Sequence, residues 1–299
     1  MTQRATAQGG SAGGDDAGFA SGVESPDPAW RVIRPSGRWR IRLGLRELWA
    51  QRELGLTLAW RDLQLRYRQT LFGVAWVALQ PLVGMGIFSL IFGSLTDVPS
   101  DGVPYPVFVL TGLAVWFFVS TAVSAAAASL IEQPDLVTKV WFPRMLVPIA
   151  AVLAAVADLA ISLILVALVM IGYAVAPGIQ ILTLPVWIVA AILVAIGAGL
   201  WLSAANVLYR DVRYALPFLL QVWLFASPVI YPSSLIDGAW RYVFALNPMA
   251  GVLDGFRWAL LDGPAPGPWS AVSAASLLAL LVSGVVYFRL AERSFADRI

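Results

Sequence analysis

The sequence predicts an all-α membrane protein with six transmembrane helices, a basic amphipathic helix before the first of them, and both termini in the cytosol. Of its 299 residues, 59% are hydrophobic and only 13% are charged, whereas charged residues make up about a quarter of a soluble domain. Several apolar runs also exceed the ~18 residues that indicate a membrane-spanning helix. The third observation is the uneven distribution of Lys and Arg among the segments between those runs.

The first 70 residues precede the apolar runs and divide into two parts. Residues 1–30 are rich in Gly, Ala, Ser and Asp and lack the apolar core of a secretion signal, so we expect a disordered cytosolic tail. Residues 31–70 hold ten arginines, and their apolar residues recur at helical spacing, with Gly55 as a candidate break. Such a helix lies flat in the headgroup layer, with its arginines towards anionic lipid. A helix of a soluble domain is the alternative.

Six apolar segments follow and define a membrane domain of residues 71–299. We predict spans at about 74–95, 107–130, 145–175, 184–205, 214–231 and 271–288. A helix of about 22 residues is roughly 33 Å long, which is enough to cross the hydrocarbon core. The fifth predicted span is short.

The basic residues orient these spans. The connections after spans 1 and 3 contain no Lys or Arg, whereas the N-terminal region, the connections after spans 2 and 4 and the C-terminal tail together contain 18 of the 20. Positively charged connections remain on the cytosolic side of a membrane. Both termini are therefore predicted to be cytosolic, with Arg241 and Arg257 on the outer side.

The segment between spans 5 and 6 is too apolar for an ordinary loop and too polar for a span. We predict two short helices, at about 238–246 and 249–261, that are broken at Asn247-Pro248, because the residue before a proline avoids the α conformation. Such a hairpin enters the outer leaflet partway as a re-entrant element, packed against protein so that its backbone groups stay hydrogen-bonded.

The composition excludes several kinds of chemistry. The chain contains no cysteine and no histidine, so thiolate catalysis, Ser-His pairs and His-ligated metals are impossible. Lys139 is the only lysine and follows Thr138, whereas a phosphate-binding loop requires Gly directly before its lysine. We therefore expect a non-enzymatic protein that binds no cofactor itself and has no nucleic-acid partner.

Two polar features lie within predicted spans. Asp158 is the only acid well inside a span, and either it takes part in gating or coupling, or it is hydrogen-bonded to span 2, for instance to Ser124 or Thr121. Gln80-Pro81 breaks one backbone hydrogen bond of span 1 and is expected to kink it, so that Gln80 either faces a conduit or packs against a neighbouring helix.

Aromatic side chains are dense towards the predicted outer half of the membrane domain and include Trp223, Tyr231, Trp240 and Trp258. Tryptophan and tyrosine commonly form belts at both membrane interfaces. The alternative is that some of them line a conduit or gate and stack on sugar rings.

The cytosolic connection after span 2, IEQPDLVTKVWFPR, is compact rather than an extended polar linker. Pro134 suits the first position of a short helix, and Pro143 would close it. We interpret this connection as a docking element for a cytosolic partner.

Several strings occur in an order that matches a known family: RDLQLRYRQTLFGVAWVALQP, FVLTGLAVWFFVSTAVSAA, DLVTKVWFPR, NVLYRDVRY, SPVIYP and LNPMAGVLDGFRWALL. On these strings, the chain from about residue 54 to its C-terminus resembles the membrane subunits of type-2 ABC exporters, in the branch that exports polysaccharides and polyol phosphates.

The resemblance implies a homodimer of six-span chains held by two copies of a separate ATPase subunit, which would bind ATP and Mg. The docking element would be the coupling helix in a cleft of that ATPase, with Gln133, Pro134, Asp135, Leu136, Val137 and Lys139. Residues 31–70 would form the interface helix and the hairpin an external gate, while spans 1 and 5 would line the conduit.

The substrate that the resemblance implies is a glycan or polyol phosphate on a polyprenyl diphosphate. It would move from the cytosol to the outer face of a bacterial cell (inner) membrane, whose lipids also contact the chain. Arg61, Arg66 and Arg68 would lie at the cytosolic entrance. They either attract the lipid diphosphate, because guanidinium pairs well with phosphate oxygens, or only anchor the helix to lipid headgroups.

Three alternatives remain open from the sequence. A type-2 ABC exporter of drugs or small lipids would share most of these features. A secondary transporter driven by protons or sodium is disfavoured by the single intramembrane acid, Asp158. A membrane anchor without transport activity would explain the docking element but not the proline in span 1 or the outer hairpin.

Overall fold

The computed structural model describes residues 45–68, 73–96, 98–134 and 142–297, and within these ranges it is helical, without a β-strand. Residues 1–44, which include the predicted tail and half of the ten arginines of the predicted basic region, lie outside the described residues. The α-helices are α1 Leu45–Ala50, α2 Arg52–Tyr67, α3 Gly73–Phe88, α4 Tyr105–Glu132, α5 Leu146–Gly172, α6 Leu184–Leu208, α7 Val212–Phe225, α8 Trp240–Phe244, α9 Pro248–Leu261 and α10 Ser270–Ala291.

Five stretches of helix in the described residues are long and apolar enough to cross a membrane: Ala75–Leu95, Tyr105–Glu132, Leu146–Gly172, Ile179–Leu208 and Ser270–Phe295. They agree with five of the six predicted spans. The predicted fifth span corresponds to α7, which has only 14 residues and is therefore about 21 Å long at the usual rise. The chain leaves the helix at Ala226, five residues before the predicted end of that span.

Helix α4 forms the centre of the structure. In its most apolar stretch, 78% of the residues are buried inside the protein, against 39% or less in the other four long helices. It packs against α5, α6 and α3, and also against α9 and α7. Because this helix is surrounded by protein rather than lipid, its side chains form the main apolar core, which includes Phe108, Phe118 and Val119.

Small residues bring α6 close to its neighbours. A Cβ on Gly199 of α6 would lie 2.7 Å from the Cβ of Ala126 in α4, and a Cβ on Gly284 of α10 would lie 2.6 Å from the carbonyl oxygen of Gly197 in α6. Membrane helices gain little from hydrophobic burial against one another, so their association depends on this kind of close packing. These contacts hold α4, α6 and α10 together as one bundle.

Helix α2 differs from the predicted helix lying flat on headgroups. Gly55 lies against Leu146, Leu58 and Ala59 pack on Ala150, and the end of α2 reaches Asp158. The contacts advance along both helices in the same direction, so α2 runs lengthwise beside the first half of α5. Apolar side chains also point away from this contact, including Leu56, Trp60 and Leu65, which are all exposed. The helix is therefore not strictly amphipathic.

Helix α3 is the least buried of the long helices, with only 6% of its most apolar stretch buried. The helix continues through Pro81, which is buried, and changes to a π-helix at Ser89–Leu95. Gln80 is exposed on its surface. Helix α7 also presents apolar side chains outward, among them Tyr214 and Phe218. Two of the predicted spans therefore leave apolar faces that the described residues do not cover.

Candidate functional site

An ion pair joins α2 to the interior of α5. Arg66 donates from Nη1 to one carboxylate oxygen of Asp158 at 2.5 Å, and the hydroxyl of Tyr67 donates to the other oxygen. Asp158 is only 6% exposed, so both of its oxygens are satisfied by the end of α2. The predicted partners Ser124 and Thr121 are wrong, because α2 and not α4 supplies the donors.

The three arginines predicted at the cytosolic entrance lie in different surroundings. Arg66 is committed to Asp158, whereas Arg61 donates to Asp62 at 3.0 Å and to the side-chain oxygen of Gln133 at 2.5 Å. Arg68 is exposed and forms no ion pair with the described residues. Only one of the three guanidinium groups is therefore without an acidic partner in this part of the chain.

The predicted docking element begins where α4 ends, at Glu132. Gln133 and Pro134 are described, and the bond from Arg61 to Gln133 ties the start of this element to α2. Asp135, Leu136, Val137 and Lys139 lie outside the described residues, so their role in docking stays a prediction.

At the other end of the bundle, the predicted helical hairpin is present as α8 and α9, with the break at Asn247. The side-chain oxygen of Asn247 accepts hydrogen bonds from the backbone N–H of Met249 and the indole N–H of Trp223, both at 3.0 Å. Its amide nitrogen donates to the carbonyl of Ala226 and the hydroxyl of Ser227. One residue therefore caps α9 and fastens it to the end of α7.

Arg257 of α9 is buried at this same end of the bundle, with 5% of its surface exposed. It donates to the carbonyl oxygen of Val229 at 2.8 Å and that of Tyr231 at 3.4 Å, and its guanidinium lies 3.7 Å from the ring centre of Phe108. Gly112 allows this approach, since a Cβ there would lie 2.5 Å from the Val229 oxygen. Arg257 therefore clamps the loop after α7 against α4.

An acidic residue one turn away balances this buried charge. Asp254 accepts a hydrogen bond from Ser233 at 2.8 Å. Burial raises the pKa of Asp254, while the charge of Arg257 and the Ser233 hydrogen bond counteract the rise. Burial also lowers the pKa of Arg257 to about 10, so its guanidinium stays protonated at neutral pH. The i, i+3 spacing of these two charged residues on an otherwise apolar helix was the sequence signal that could have revealed the clamp.

The structure brings together two of the six residues predicted for a conduit or gate. Trp223 and Trp240 both line a cavity of about 780 Å³ between α6, α7, α10 and the hairpin, together with Trp201, Phe244 and Asn247. The walls are almost entirely apolar. Trp223 also packs edge-on against Trp116, with ring centres 5.7 Å apart.

The other four candidates lie elsewhere. Gln80 is exposed on α3, Asp158 is bonded to α2, and Trp258 is half-buried in α9. Tyr231 donates to the carbonyl of Phe225 and accepts the bond from Arg257 at its own carbonyl. It therefore belongs to the clamped loop. No group of three or more acidic side chains that suits a metal ion occurs in the residues that the structure describes.

The geometry can be compared with known proteins. The family model described as ABC-2 type transporter matches residues 53–261. The O-antigen export system permease protein RfbA of Myxococcus xanthus is 31% identical over 264 residues, which cover 87% of this chain and 100% of the relative.

Two further relatives extend the comparison. An O-antigen export system permease protein RfbA of Klebsiella pneumoniae is 21% identical over 79% of this chain and 91% of its own length. The polysialic acid transport protein KpsM of Escherichia coli is 24% identical over 68% of this chain and 79% of its own length.

The contact between Arg66 and Asp158 predicts a measurable coupling between α2 and α5. In a double-mutant cycle of Arg66→Gln and Asp158→Asn, we expect a coupling free energy of about 1–3 kcal/mol, between values for exposed and fully buried pairs. Unfolding of the purified chain in mixed micelles, followed by tryptophan fluorescence, measures it. Arg68→Gln is the matched control, because Arg68 is exposed and has no such partner among the described residues. A coupling near zero for Arg66 and Asp158 would contradict the structure.

The clamp predicts that Arg257→Met loosens the loop of residues 229–231. The methionine keeps the apolar stem but leaves two carbonyls without their donor, at a cost of about 1–3 kcal/mol. A cysteine that replaces the buried Ile230 should then react faster with a maleimide in the Arg257→Met variant than in a chain that keeps Arg257. Arg241→Met is the control, since Arg241 stacks on Trp269 instead. Equal reactivity in both backgrounds would refute the clamp.

Proposed function

Because this chain belongs to the ABC-2 type transporter family, we propose that it is the membrane subunit of an ATP-driven exporter of a polysaccharide or polyol phosphate carried on a polyprenyl diphosphate. The observation that carries this proposal is the similarity over nearly the whole chain to a relative named as an O-antigen export permease. The similarity to a polysialic acid transport protein supports the same substrate class. The chain is a multi-pass membrane protein, and we place it in the inner membrane of a bacterial cell.

The energy for export would come from a separate ATPase subunit. The sequence has no phosphate-binding loop, because its only lysine follows Thr138. We propose that two copies of the ATPase, loaded with ATP and Mg, dock on residues 133–139 of two copies of this chain. The bond between Arg61 and Gln133 would then transmit a movement of the docking element to α2. The ion pair at Arg66 would pass it on to α5, as a rigid-body displacement between packed helices.

The path for the substrate would lie between the two copies. Helices α3 and α7 present apolar faces that the described part of the chain does not cover, which fits an interface with the second copy. In this arrangement α7 is the short fifth of six spans, and α8 and α9 form a re-entrant hairpin at the outer end. The clamp of Arg257 and the cap of Asn247 would keep that end closed until the two copies separate.

The structure weakens the proposal of an ion-driven transporter. A carboxylate that carries protons or sodium must exchange them during transport, but both oxygens of Asp158 are occupied by Arg66 and Tyr67. An exporter of drugs or small lipids stays the alternative within the family. No described contact favours it.

The proposed orientation predicts which side of the membrane each connection faces. The chain has no cysteine, so single cysteines can be introduced without a background signal. In intact spheroplasts, a membrane-impermeant maleimide should label Asp237→Cys and not Arg293→Cys, and inverted vesicles should give the opposite result. Both parent residues are exposed. Labelling of both cysteines from the same side would overturn the orientation.

The proposed function predicts that the chain copurifies with an ATPase and is required for glycan display. Asp135→Arg combined with Lys139→Glu should abolish copurification and reduce surface polysaccharide to the level of a deletion strain, at matched membrane abundance. Asp237→Arg is a charge-changing control on the opposite side of the proposed membrane. Normal polysaccharide display in the deletion strain would refute the function, and ATP hydrolysis by the chain alone would refute the separate motor.

A further inference from the structure

A second cavity lies at the end of the bundle where α4 and α6 terminate and α7 begins. Its volume is about 390 Å³, within the ~300–1,000 Å³ of typical small-molecule sites. Ile131 and Pro134 come from the end of α4, Asn206 from α6, and Arg210, Arg213 and Tyr214 from the connection to α7 and its first turn. Unlike the apolar outer cavity, its lining is about half polar.

The two arginines at this cavity have no partner among the described residues. In that part of the chain, Arg61 and Arg66 of α2 and Arg289 of α10 each pair with an acid. Neither Arg210 nor Arg213 does, although the exposed Asp211 lies between them in sequence. Two uncompensated guanidinium groups at one cavity favour an anion, and their planar donor pairs match phosphate oxygens.

Asn206, which also lines the cavity, carries a buried acceptor that no donor of the described residues satisfies. It is only 4% exposed, and its amide nitrogen donates to the carbonyl of Ala127 at 2.8 Å. Its side-chain oxygen is buried and lacks a hydrogen-bond partner in the described structure. A buried acceptor without a partner costs free energy and is uncommon in native proteins. Since the nitrogen is already engaged, the free oxygen requires a donor such as a hydroxyl group.

We propose that this cavity binds the sugar-diphosphate headgroup of the lipid-linked glycan at the cytosolic face, an inference that rests on the proposed function. The arginines hold the diphosphate, and the side-chain oxygen of Asn206 accepts a hydrogen bond from a sugar hydroxyl. Tyr214, which is 81% exposed, offers an aromatic ring at the same rim. This ligand satisfies the cationic groups and the buried acceptor together, whereas a simple phosphate satisfies only the former.

This assignment changes the predicted entrance. Arg66 was a candidate for diphosphate recognition, but its guanidinium is neutralised by Asp158 at 2.5 Å. Arg61 is likewise shared between Asp62 and Gln133. Of the three arginines predicted at the entrance, only the exposed Arg68 has no acidic partner among the described residues. At the start of α7 two such guanidinium groups, those of Arg210 and Arg213, border the same cavity. A headgroup held there is positioned at the inner end of the proposed path.

The test measures binding to the full chain, with its copurified ATPase, in nanodiscs of uncharged phosphatidylcholine. The probes are a polyprenyl-diphosphate hexose, the same polyprenyl diphosphate without sugar, and a free nucleoside-diphosphate hexose. We expect the double variant Arg210→Gln, Arg213→Gln to bind the first probe roughly tenfold more weakly for each arginine that is replaced. This loss of affinity should be smaller in high salt. Arg210→Lys with Arg213→Lys should retain part of the affinity. Arg52→Gln with Arg293→Gln, two exposed arginines outside the cavity, should bind like the unaltered chain.

The sugar contact has its own readout. Asn206→Leu should weaken the hexose-bearing probe by about three- to tenfold and leave the sugar-free diphosphate unchanged. Equal loss for both lipid probes would overturn the role of Asn206. Tight binding of the free nucleoside-diphosphate hexose would overturn a lipid-linked ligand in favour of a soluble one.

The outcomes separate this inference from the function on which it rests. If the Arg210→Gln, Arg213→Gln double variant binds the lipid-linked hexose as the unaltered chain does, the site is refuted while export stands. If deletion of the chain leaves polysaccharide display unchanged, the proposed function fails independently of any binding result. Loss of binding together with loss of display, at matched membrane abundance and unchanged thermal unfolding, supports both.

Discussion

The fold depends on one helix, α4, which is enclosed by protein, whereas most of each of the other four long helices is not buried inside the described part of the chain. Lipid tails are as apolar as leucine, so hydrophobicity alone does not decide which helices associate, and close packing of small residues has that role. Gly199 against Ala126 and Gly284 against Gly197 bring α6 to α4 and α10, while Asn206 adds a hydrogen bond to the α4 backbone. The ion pair of Arg66 with Asp158 and the hydrogen bonds of Arg257 both attach further elements to this bundle.

Charged side chains fasten two peripheral elements, α2 and the segment with α8 and α9, onto the bundle. Arg66 joins α2 to α5 through Asp158, and Arg257 joins the hairpin to the loop after α7 and to Phe108. A charge away from water is costly unless it is paired or hydrogen-bonded. Such contacts therefore hold in one arrangement and resist small displacements, which suits elements that must move as units in the proposed export cycle.

The two ends of the bundle differ in how their arginines are used. At the end that carries α8 and α9, Arg257 is buried and donates to two backbone carbonyls, while Arg241 lies over Trp269. At the end where α6 terminates, Arg210 and Arg213 border a cavity without an acidic partner in the described residues. The guanidinium groups at the proposed gate are therefore engaged in contacts within the chain. Those at the proposed substrate entrance are available to bind a ligand. This difference follows from the surroundings of the four arginines. The number of arginines at each end of the bundle does not reveal it.

The sequence by itself determined the membrane class, the positions of five long helices, the two short helices separated at Asn247-Pro248, and the absence of thiol and imidazole chemistry. Hydropathy, proline geometry and composition are local properties. Through the resemblance of its strings it also indicated the family. Only the tertiary structure decided that Asp158 pairs with a residue 92 positions earlier, that α2 lies lengthwise along α5, and that Ile131 and Asn206 border one cavity. These features arise from packing between distant segments, and the periodicity of a single helix does not encode which neighbour it will meet.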